Sequence, residues 1–339
     1  MKTIDSIMLN RRQMLALGLL SGTAFGLAAC GGSEDATDVA TPPDAGEEEG
    51  ESVVLADEQE APVVDAAAFD ALLATGPVAA DDAIAASGWA QKVKDAGTLR
   101  IGTTDTSTFF SLLNVEDGRR RGFDAGLYQL LTRYILGSEE DYAFTQVTSD
   151  TRESVLTNDT VDCVFATYSI TPARMEVIDF AGPYYTSQQS ILVKKDNNTI
   201  TSLDDLAGKN VAVQSGSTGP TVMEEYCPDA VLQQFTTDEE AHTALEQGRV
   251  DAYVIDNTLH MGSVAKNPSK YKIVGEPFGP IDPYGIGLPK DADGAVDFVN
   301  GFLQEIEDAG LWAELWQITI GDRTNQQGAP EPPAIGVIE

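Results

Sequence analysis

The chain reads as an α/β protein of two lobes, on three observations. From Leu99 onward, short apolar strand-like runs alternate with helical stretches. The alternation comes in two series, one closing near Tyr168 and the other opening near Ile191. The segment from Ser33 to Asp82 has a different composition, acidic and without a basic residue. Alternation of strands and helices argues for parallel-rich sheets covered by helices. The stretch from Ala83 to Glu339 is long enough for two modest lobes.

The elements follow in order. Leu99–Thr103 is a short strand. Asp124–Leu136 is a helix with Leu127, Leu130, Leu131, Tyr134 and Ile135 on one stripe, stopped by Gly137. Tyr142–Val147 is a strand, Thr151–Asn158 a short helix and Asp162–Tyr168 a buried strand. Ile191–Lys194 begins the second series. Asn210–Gln214 is a strand, Pro220–Tyr226 a helix and Val231–Phe235 a strand. Asp238–Gly248 is a helix opened by a capping box, Thr237 with Glu240 three residues on, and Ala252–Asp256 is the next strand. Tyr284–Leu288 reads as a strand, Val296–Ala309 as an amphipathic helix and Leu311–Trp316 as a further short one. Asp322–Glu339, rich in Gly and Pro, reads as a loosely packed tail.

Residues 1–30 read as a targeting segment. Arg11-Arg12 precede an apolar stretch, Leu15 to Ala29, that closes on Leu27-Ala28-Ala29-Cys30-Gly31 and resembles a bacterial lipobox. A span of the bilayer needs about 20 apolar residues, so the stretch is too short to be one. The expectation is export, cleavage before Cys30 and a lipid on its thiol. Twin arginines also occur in general secretory signals, so the export route stays open. Residues 31–82 read as a disordered acidic linker: Ser33 to Asp82 holds fifteen Asp or Glu and no Lys or Arg. Such a segment buries too little apolar surface to offset the entropy of ordering it, and its charges extend it. Within it, Ala66–Ala74 is made of helix formers and reads as transiently helical.

The formal charge is −33, of which −15 lies in the linker and +2 in Met1–Cys30, leaving −20 on the rest. That excludes ordinary nucleic-acid binding, which needs basic surface to displace counterions. Cys163 lies in an apolar run and Cys227 beside Pro228 at a helix end. An exported protein permits a disulfide between them. His242 and His260 fall in separate predicted helices with no Cys or carboxylate at ligand spacing. Zinc needs three or four converging ligands, so no metal and no cofactor is expected.

The most informative stretch is Ala166–Tyr185, ATYSITPARMEVIDFAGPYY. It sets two hydroxyls, Thr167 and Ser169, at the end of an apolar run, with Arg174 one short turn later. A guanidinium matches a carboxylate through two parallel hydrogen bonds, so the group suits a small carboxylate. The plainer alternative is a turn with a solvated arginine. A second group is Gln214-Ser215-Gly216-Ser217-Thr218-Gly219-Pro220, between a strand and a helix. Small residues there admit a ligand to the backbone, and a helix start favours an anion. A third is Asp256, at a strand end facing the crevice where α/β sheets bind ligands, or a cap for the next helix.

These motifs resemble the signature of the amino-acid-binding extracytoplasmic solute-binding proteins (family 3), which serve ABC importers and include glutamate- and glutamine-binding members. The resemblance covers about Gly97 to Arg323. It implies a periplasmic-binding-protein-like fold of type II, two lobes joined by a two-crossover hinge that closes on the ligand. Lobe 1 would be discontinuous, residues 83–187 plus 285–323, lobe 2 would be 191–280, and 324–339 a tail. The crossovers would lie near Thr186–Ser190 and Ile281–Tyr284. The two cysteines would then fall in different lobes and stay free.

The resemblance also implies roles. Arg174 would hold the α-carboxylate with donors from Ser217 and Thr218, and Asp256 would take the α-ammonium with Thr167 and Ser169. Asp105, in Thr103–Phe110, would face the cleft, and Phe109 or Phe110 would stack on the ligand or belong to the core. Gln214 stands where some glutamine-binding relatives carry lysine. Arg152 would reach a side-chain carboxylate or serve the structure. Two departures from the pattern stand out: the segment after the first strand lacks Pro-Phe, and Gly122-Phe123-Asp124-Ala125-Gly126 lacks a second aspartate. The implied protein is a monomeric lipoprotein on the outer face of the cell membrane, with an ABC permease and its ATPase as partners and no catalysis. The alternatives are a cyclohexadienyl dehydratase-like enzyme on the same fold, recruiting Asp105 or Glu224, and a ligand-sensing lipoprotein.

Overall fold

Why the acidic segment ends earlier than its composition suggests is visible in the first helices. The computed structural model describes residues 63–337, so Cys30, the targeting segment and most of the linker lie outside the described residues. α1 (Ala66–Ala74) starts at Asp65, whose carboxylate accepts from the amides of Ala67 and Ala68 at 3.0 Å each. Phe69, Leu72 and Leu73 share one face of it and are buried. The linker reading is corrected here: averaging over fifty residues hides a short i, i+3, i+4 stripe. Its acids are placed too, since Asp70 pairs with Arg119 at 2.9 Å and Arg121 at 3.3 Å. α2 (Asp81–Ala85) and α3 (Gly88–Ala96) follow, the latter closed by Gly97 at φ +65°.

β1 (Leu99–Thr103) enters the main sheet, and β2 (Thr106–Ser107), β3 (Ser111–Leu113) and β4 (Arg120–Arg121) form a small antiparallel sheet beside it. α4 (Phe123–Leu136), β5 (Tyr142–Gln146), α5 (Arg152–Thr157), β6 (Cys163–Phe165) and α6 (Pro172–Met175) complete the first series. β7 (Asp179–Lys194) is a single long strand. The second series is β8 (Asn210–Gln214), α7 (Gly219–Tyr226), β9 (Val231–Phe235), α8 (Asp238–Glu246), β10 (Ala252–Asp256) and α9 (Asn257–Lys266). β11 (Tyr271–Leu288) is the second long strand, followed by α10 (Ala295–Asp308), α11 (Leu311–Trp316) and α12 (Asp322–Thr324).

The eight strands run β5-β1-β6-β11-β7-β10-β8-β9. β1 pairs parallel with β5 and β6, and β8 pairs parallel with β9 and β10. The antiparallel pair β7–β11 lies between these two sets and is the one element shared by both. Their register slips between Val274 and Phe278, again before Asp282, and again between Tyr284 and Ile286. Bulges of this kind bend a strand and raise its twist. The second series therefore swings away from the first and a cleft opens where the strand ends face one another.

Each set has its own core on both faces. α1, α3, α4, α10 and α11 cover one face of the first set, with Phe123, Tyr128, Phe302 and Trp312 buried together. Val147, Leu156 and Tyr168 fill the other face. Around the second set, Val211, Val213 and Met223 pack on one side, and Ala244, Leu245 and Tyr253 on the other. Cys163 and Cys227 are free, buried thiols in separate cores. The tail is partly docked: Gly336 donates its amide to Gly182 O at 2.8 Å and Ile335 packs against the first core. The capping box at Thr237 and Glu240 forms as read from the sequence.

Candidate functional site

The cleft is built from strand ends. β6 stops at Phe165, and the chain then turns through Thr167, whose φ of +43° is unusual for a β-branched residue. Thr167 N donates to the buried Asp124 at 2.9 Å, which fixes the turn. Three residues after the Ser169–Tyr284 bridge, α6 begins, with Thr171 capping it by accepting from Arg174 N at 3.3 Å. Arg174 is thereby aimed across the cleft. Its Nη1 donates to Ser169 O and its Nη2 to Gly216 O, both at 2.7 Å, with Glu153 3.6 Å from Nε.

A second guanidinium lies beside it. Arg152, in the first turn of α5, is 4 % exposed and stands 4.1 Å over the Tyr168 ring, with Arg174 5.1 Å over the same ring. Its Nη1 donates to Ala166 O at 3.1 Å and its Nη2 to Gly216 O at 3.4 Å. Burial and the neighbouring Arg174 push its pKa down to about 10, which leaves it charged at neutral pH. Arg152 is in the wall of the cleft.

From the second lobe the Gln214–Gly219 loop reaches into this group. Gly216, at φ +69°, comes so close to the first lobe that a Cβ would lie 2.5 Å from Asp150 Oδ1. Ser215 Oγ hydrogen-bonds Asp150 Oδ2 across the same gap. Ser217 Oγ serves the loop itself, donating to Gln214 O at 2.7 Å and accepting from Gly219 N at 3.2 Å. Thr218 Oγ1 donates to Asp282 Oδ2 at 2.7 Å. Gln214 Nε2 bonds Thr236 O at 3.3 Å.

Asp256 occupies the cap position of α9 yet makes no side-chain cap bond. It is instead 6 % exposed and accepts from Gln189 Nε2 at 2.6 Å and Tyr284 OH at 2.7 Å. Burial, then the charge of Asp282, pushes its pKa up to about 7. Asp105 is placed elsewhere, accepting from Gln146 Nε2 at 3.2 Å with Arg120 at 3.9 Å. Phe109 and Phe110 are both 1 % exposed, and Phe110 meets Phe123, Tyr185 and Tyr284 edge-on. They belong to the core.

The cavity beside Arg152 measures about 90 Å³, below the roughly 300 Å³ at which small-molecule pockets begin, and a second of about 220 Å³ adjoins it at Thr106, Asp238 and Glu239. Thr104, Gln146, Arg152, Thr167, Gln214 and Glu239 line the first. The Arg174–Gly216 and Ser215–Asp150 bonds bring the lobes together across this gap. Of the eight residues expected at the site, Thr167 and Gln214 face the first cavity. Ser169, Arg174, Thr218 and Asp256 lie in the bonded network behind it, Ser217 is turned into its own loop, and Asp105 sits beside Gln146 at the rim. Sequence reasoning passed over Gln189, Asp282 and Tyr284. The available signal was a carboxylate, Asp282, inside the Ile281–Tyr284 stretch expected to carry a crossover.

Of the two histidines, only His242 meets a residue of the cavity wall, Asp238. His260 is fully buried with Nδ1 2.8 Å from Ser190 Oγ, and His242 pairs with Asp238 at 3.1 Å. Among the described residues no helix is long and apolar enough to cross a membrane.

The ABC transporter glutamine-binding protein of Bacillus subtilis strain 168 is 33% identical over 226 residues, 66% of this chain and 82% of that one. Among solved structures, an ancestral arginine-binding protein bound to glutamine aligns with a TM-score of 0.61 and 34% identity, covering 66% of this chain and 98% of its own. An ancestral amino acid-binding protein described as a precursor of cyclohexadienyl dehydratase gives 0.62 and 31%, covering 68% and 98%. Long paired crossover strands, facing strand ends and matches of this extent make the fold a type II periplasmic-binding-protein fold. The family model for bacterial extracellular solute-binding proteins, family 3, matches residues 99–320, and this chain belongs to that family of amino-acid-binding proteins of ABC transporters.

Proposed function

We propose that this chain is an extracytoplasmic lipoprotein, anchored through Cys30, that closes on a glutamate- or glutamine-like amino acid and delivers it to an ABC permease and its ATPase. The supporting observation is the polarity of the cleft: Arg152 and Arg174 converge on one side and Asp256 and Asp282 on the other, in one network spanning both lobes. A zwitterion fits that polarity, its carboxylate toward the guanidiniums and its ammonium toward the carboxylates. A bound amino acid would replace the interlobe bonds to Gly216 O with its own, so the closed form gains most from the ligand.

The test is calorimetric titration of the full chain, unfolded and refolded to strip retained cargo, against all twenty amino acids. Saturable binding of one or two polar amino acids is the expected result. Well-folded protein that binds none of them would sink the reading. The enzymatic alternative has one specific support, the likeness to the dehydratase precursor. Incubation with arogenate and prephenate separates the two, because a binding protein leaves both unconsumed.

A further inference from the structure

Behind the cleft the side chains of Asp256, Asp282 and Gln189 meet at the hinge. Gln189, on β7 and 1 % exposed, points its amide nitrogen at both Asp256 Oδ1, 2.6 Å away, and Thr218 Oγ1, at 3.2 Å. Thr218 in turn gives its hydroxyl proton to Asp282 Oδ2 at 2.7 Å. The second oxygen of Asp256 takes the Tyr284 hydroxyl proton at 2.7 Å. A continuous run of hydrogen bonds thus joins one carboxyl to the other through Gln189 and Thr218. The run leaves Gln189 Oε1 buried without a hydrogen-bond partner, just under the ligand loop at Gly219.

An unpartnered buried amide oxygen next to two carboxyls is an excess of acceptors. Leaving such a group unsatisfied costs about 1–3 kcal/mol. An alkylammonium brings three N–H donors and one positive charge, which is the complement of this set. We propose that Asp282 and Gln189 Oε1 complete, with Asp256, a three-acceptor pocket for the α-ammonium, and that the two carboxyls share one proton until the ammonium displaces it. This rests on the amino-acid-binding reading above and adds two residues and a proton to it.

The exchange balances. The ammonium enters charged, one proton leaves to solvent, and no covalent bond changes. The groups facing the pair are Arg152 and Arg174 across the cleft, the Tyr284 and Tyr253 hydroxyls, Ser169, Thr218 and the amino end of α9. The guanidiniums favour ionisation of both acids, but burial is the larger influence on each, and the charge of Asp282 adds to it at Asp256. Two buried carboxyls in contact through one hydrogen-bond run release their protons as a pair, in separate steps.

The test is titration of the full chain with L-glutamine, or whichever amino acid binds in the panel above, at several pH values and in two buffers of different ionisation enthalpy. Close to one proton should be released per molecule bound near pH 6. Kd should fall about tenfold per pH unit between pH 5 and 7 and level off above. Asp282→Asn should diminish the release and move the pH-dependent limb to lower pH, while the 2-hydroxy analogue of the amino acid should bind the native protein without release. Binding with no proton released, or release unchanged in Asp282→Asn, overturns the pocket and leaves the receptor reading standing. If Asp282→Asn does not fold, the proton count of the native protein decides alone. Absence of binding by every amino acid instead fails the receptor reading, and this pocket with it.

Discussion

The two faces of the cleft carry opposite charges and solve the cost of burial in opposite ways. On the first lobe, Arg152 and Arg174 donate to backbone carbonyls of Ala166, Ser169 and Gly216 and share the face of Tyr168. Carbonyl oxygens satisfy these donors without neutralising charge, and Glu153 stands 3.6 Å from Arg174 Nε. On the hinge side, Asp256 and Asp282 receive neutral donors from Gln189, Tyr284, Thr218 and Ser169, and among the described residues no ammonium or guanidinium pairs with either. These neutral donors do not offset the desolvation of two neighbouring carboxylates, and burial pushes the pKa of Asp256 up to about 7. The lesson is that one wall of this cleft is a permanent charge and the other a titratable one.

Substitution of the permanent wall should have the largest effect. Arg174→Ala is expected to weaken amino-acid binding by about 2–5 kcal/mol, roughly 30- to several-thousand-fold, in calorimetric titration. Arg152→Ala sharpens the comparison, because it is Arg152 that lines the cavity. A greater loss there would make Arg152 the principal carboxylate holder in this chain.

The titratable wall predicts a split between binding and stability. Asp256→Asn should lose affinity by at least tenfold, yet raise the stability of the ligand-free protein at pH 8 in urea denaturation. The sign follows from linkage. A carboxyl with a folded pKa of about 7 and an ordinary unfolded value near 4 binds more protons when folded. Its contribution is complete below about pH 4 and is lost as pH rises through 7. Asp124, whose pKa burial pushes up to about 6, acts in the same direction. Ligand-free stability should accordingly fall from pH 5 to pH 8 more steeply in the native protein than in Asp256→Asn. Equal slopes would break the contrast between the walls.

The smallest effect concerns the contact between them. Gly216→Ala places a methyl against Asp150 and strains a left-handed backbone, at about 1–2 kcal/mol. The ligand-free protein should then be more open, seen as a larger radius of gyration in small-angle scattering. An unchanged radius would mean that Gly216 does not hold the closure.

Much of this was legible in the chain. The helix at Asp124–Leu136, the strands at Leu99–Thr103, Asn210–Gln214 and Ala252–Asp256, and the capping box at Thr237 appear with at most small shifts at their ends. Apolar period and cap chemistry are local, so local reading finds them. α1 escaped because its three buried residues are diluted by surrounding acids, and the first half of β11 because Gly275, Pro277, Gly279 and Pro280 read as loop. The site divided in the same manner. Arg174, Thr218 and Asp256 sit in motifs with neighbours that betray them. Gln189 and Asp282 sit in crossover strands, where nothing nearby in sequence says what the opposite strand brings.

What the sequence by itself determined is the alternation of elements, the acidic character, and the charges that face an amino acid, since these follow from residue type and short spacing. What only the tertiary structure decided is distance. Gln189 and Asp256 are 67 positions apart in the chain, and Thr218 and Asp282 64. The antiparallel crossing of β7 and β11 at the hinge brings them into one hydrogen-bonded run. Whether a buried carboxylate keeps its charge depends on what that crossing sets beside it, and that is a property of the fold.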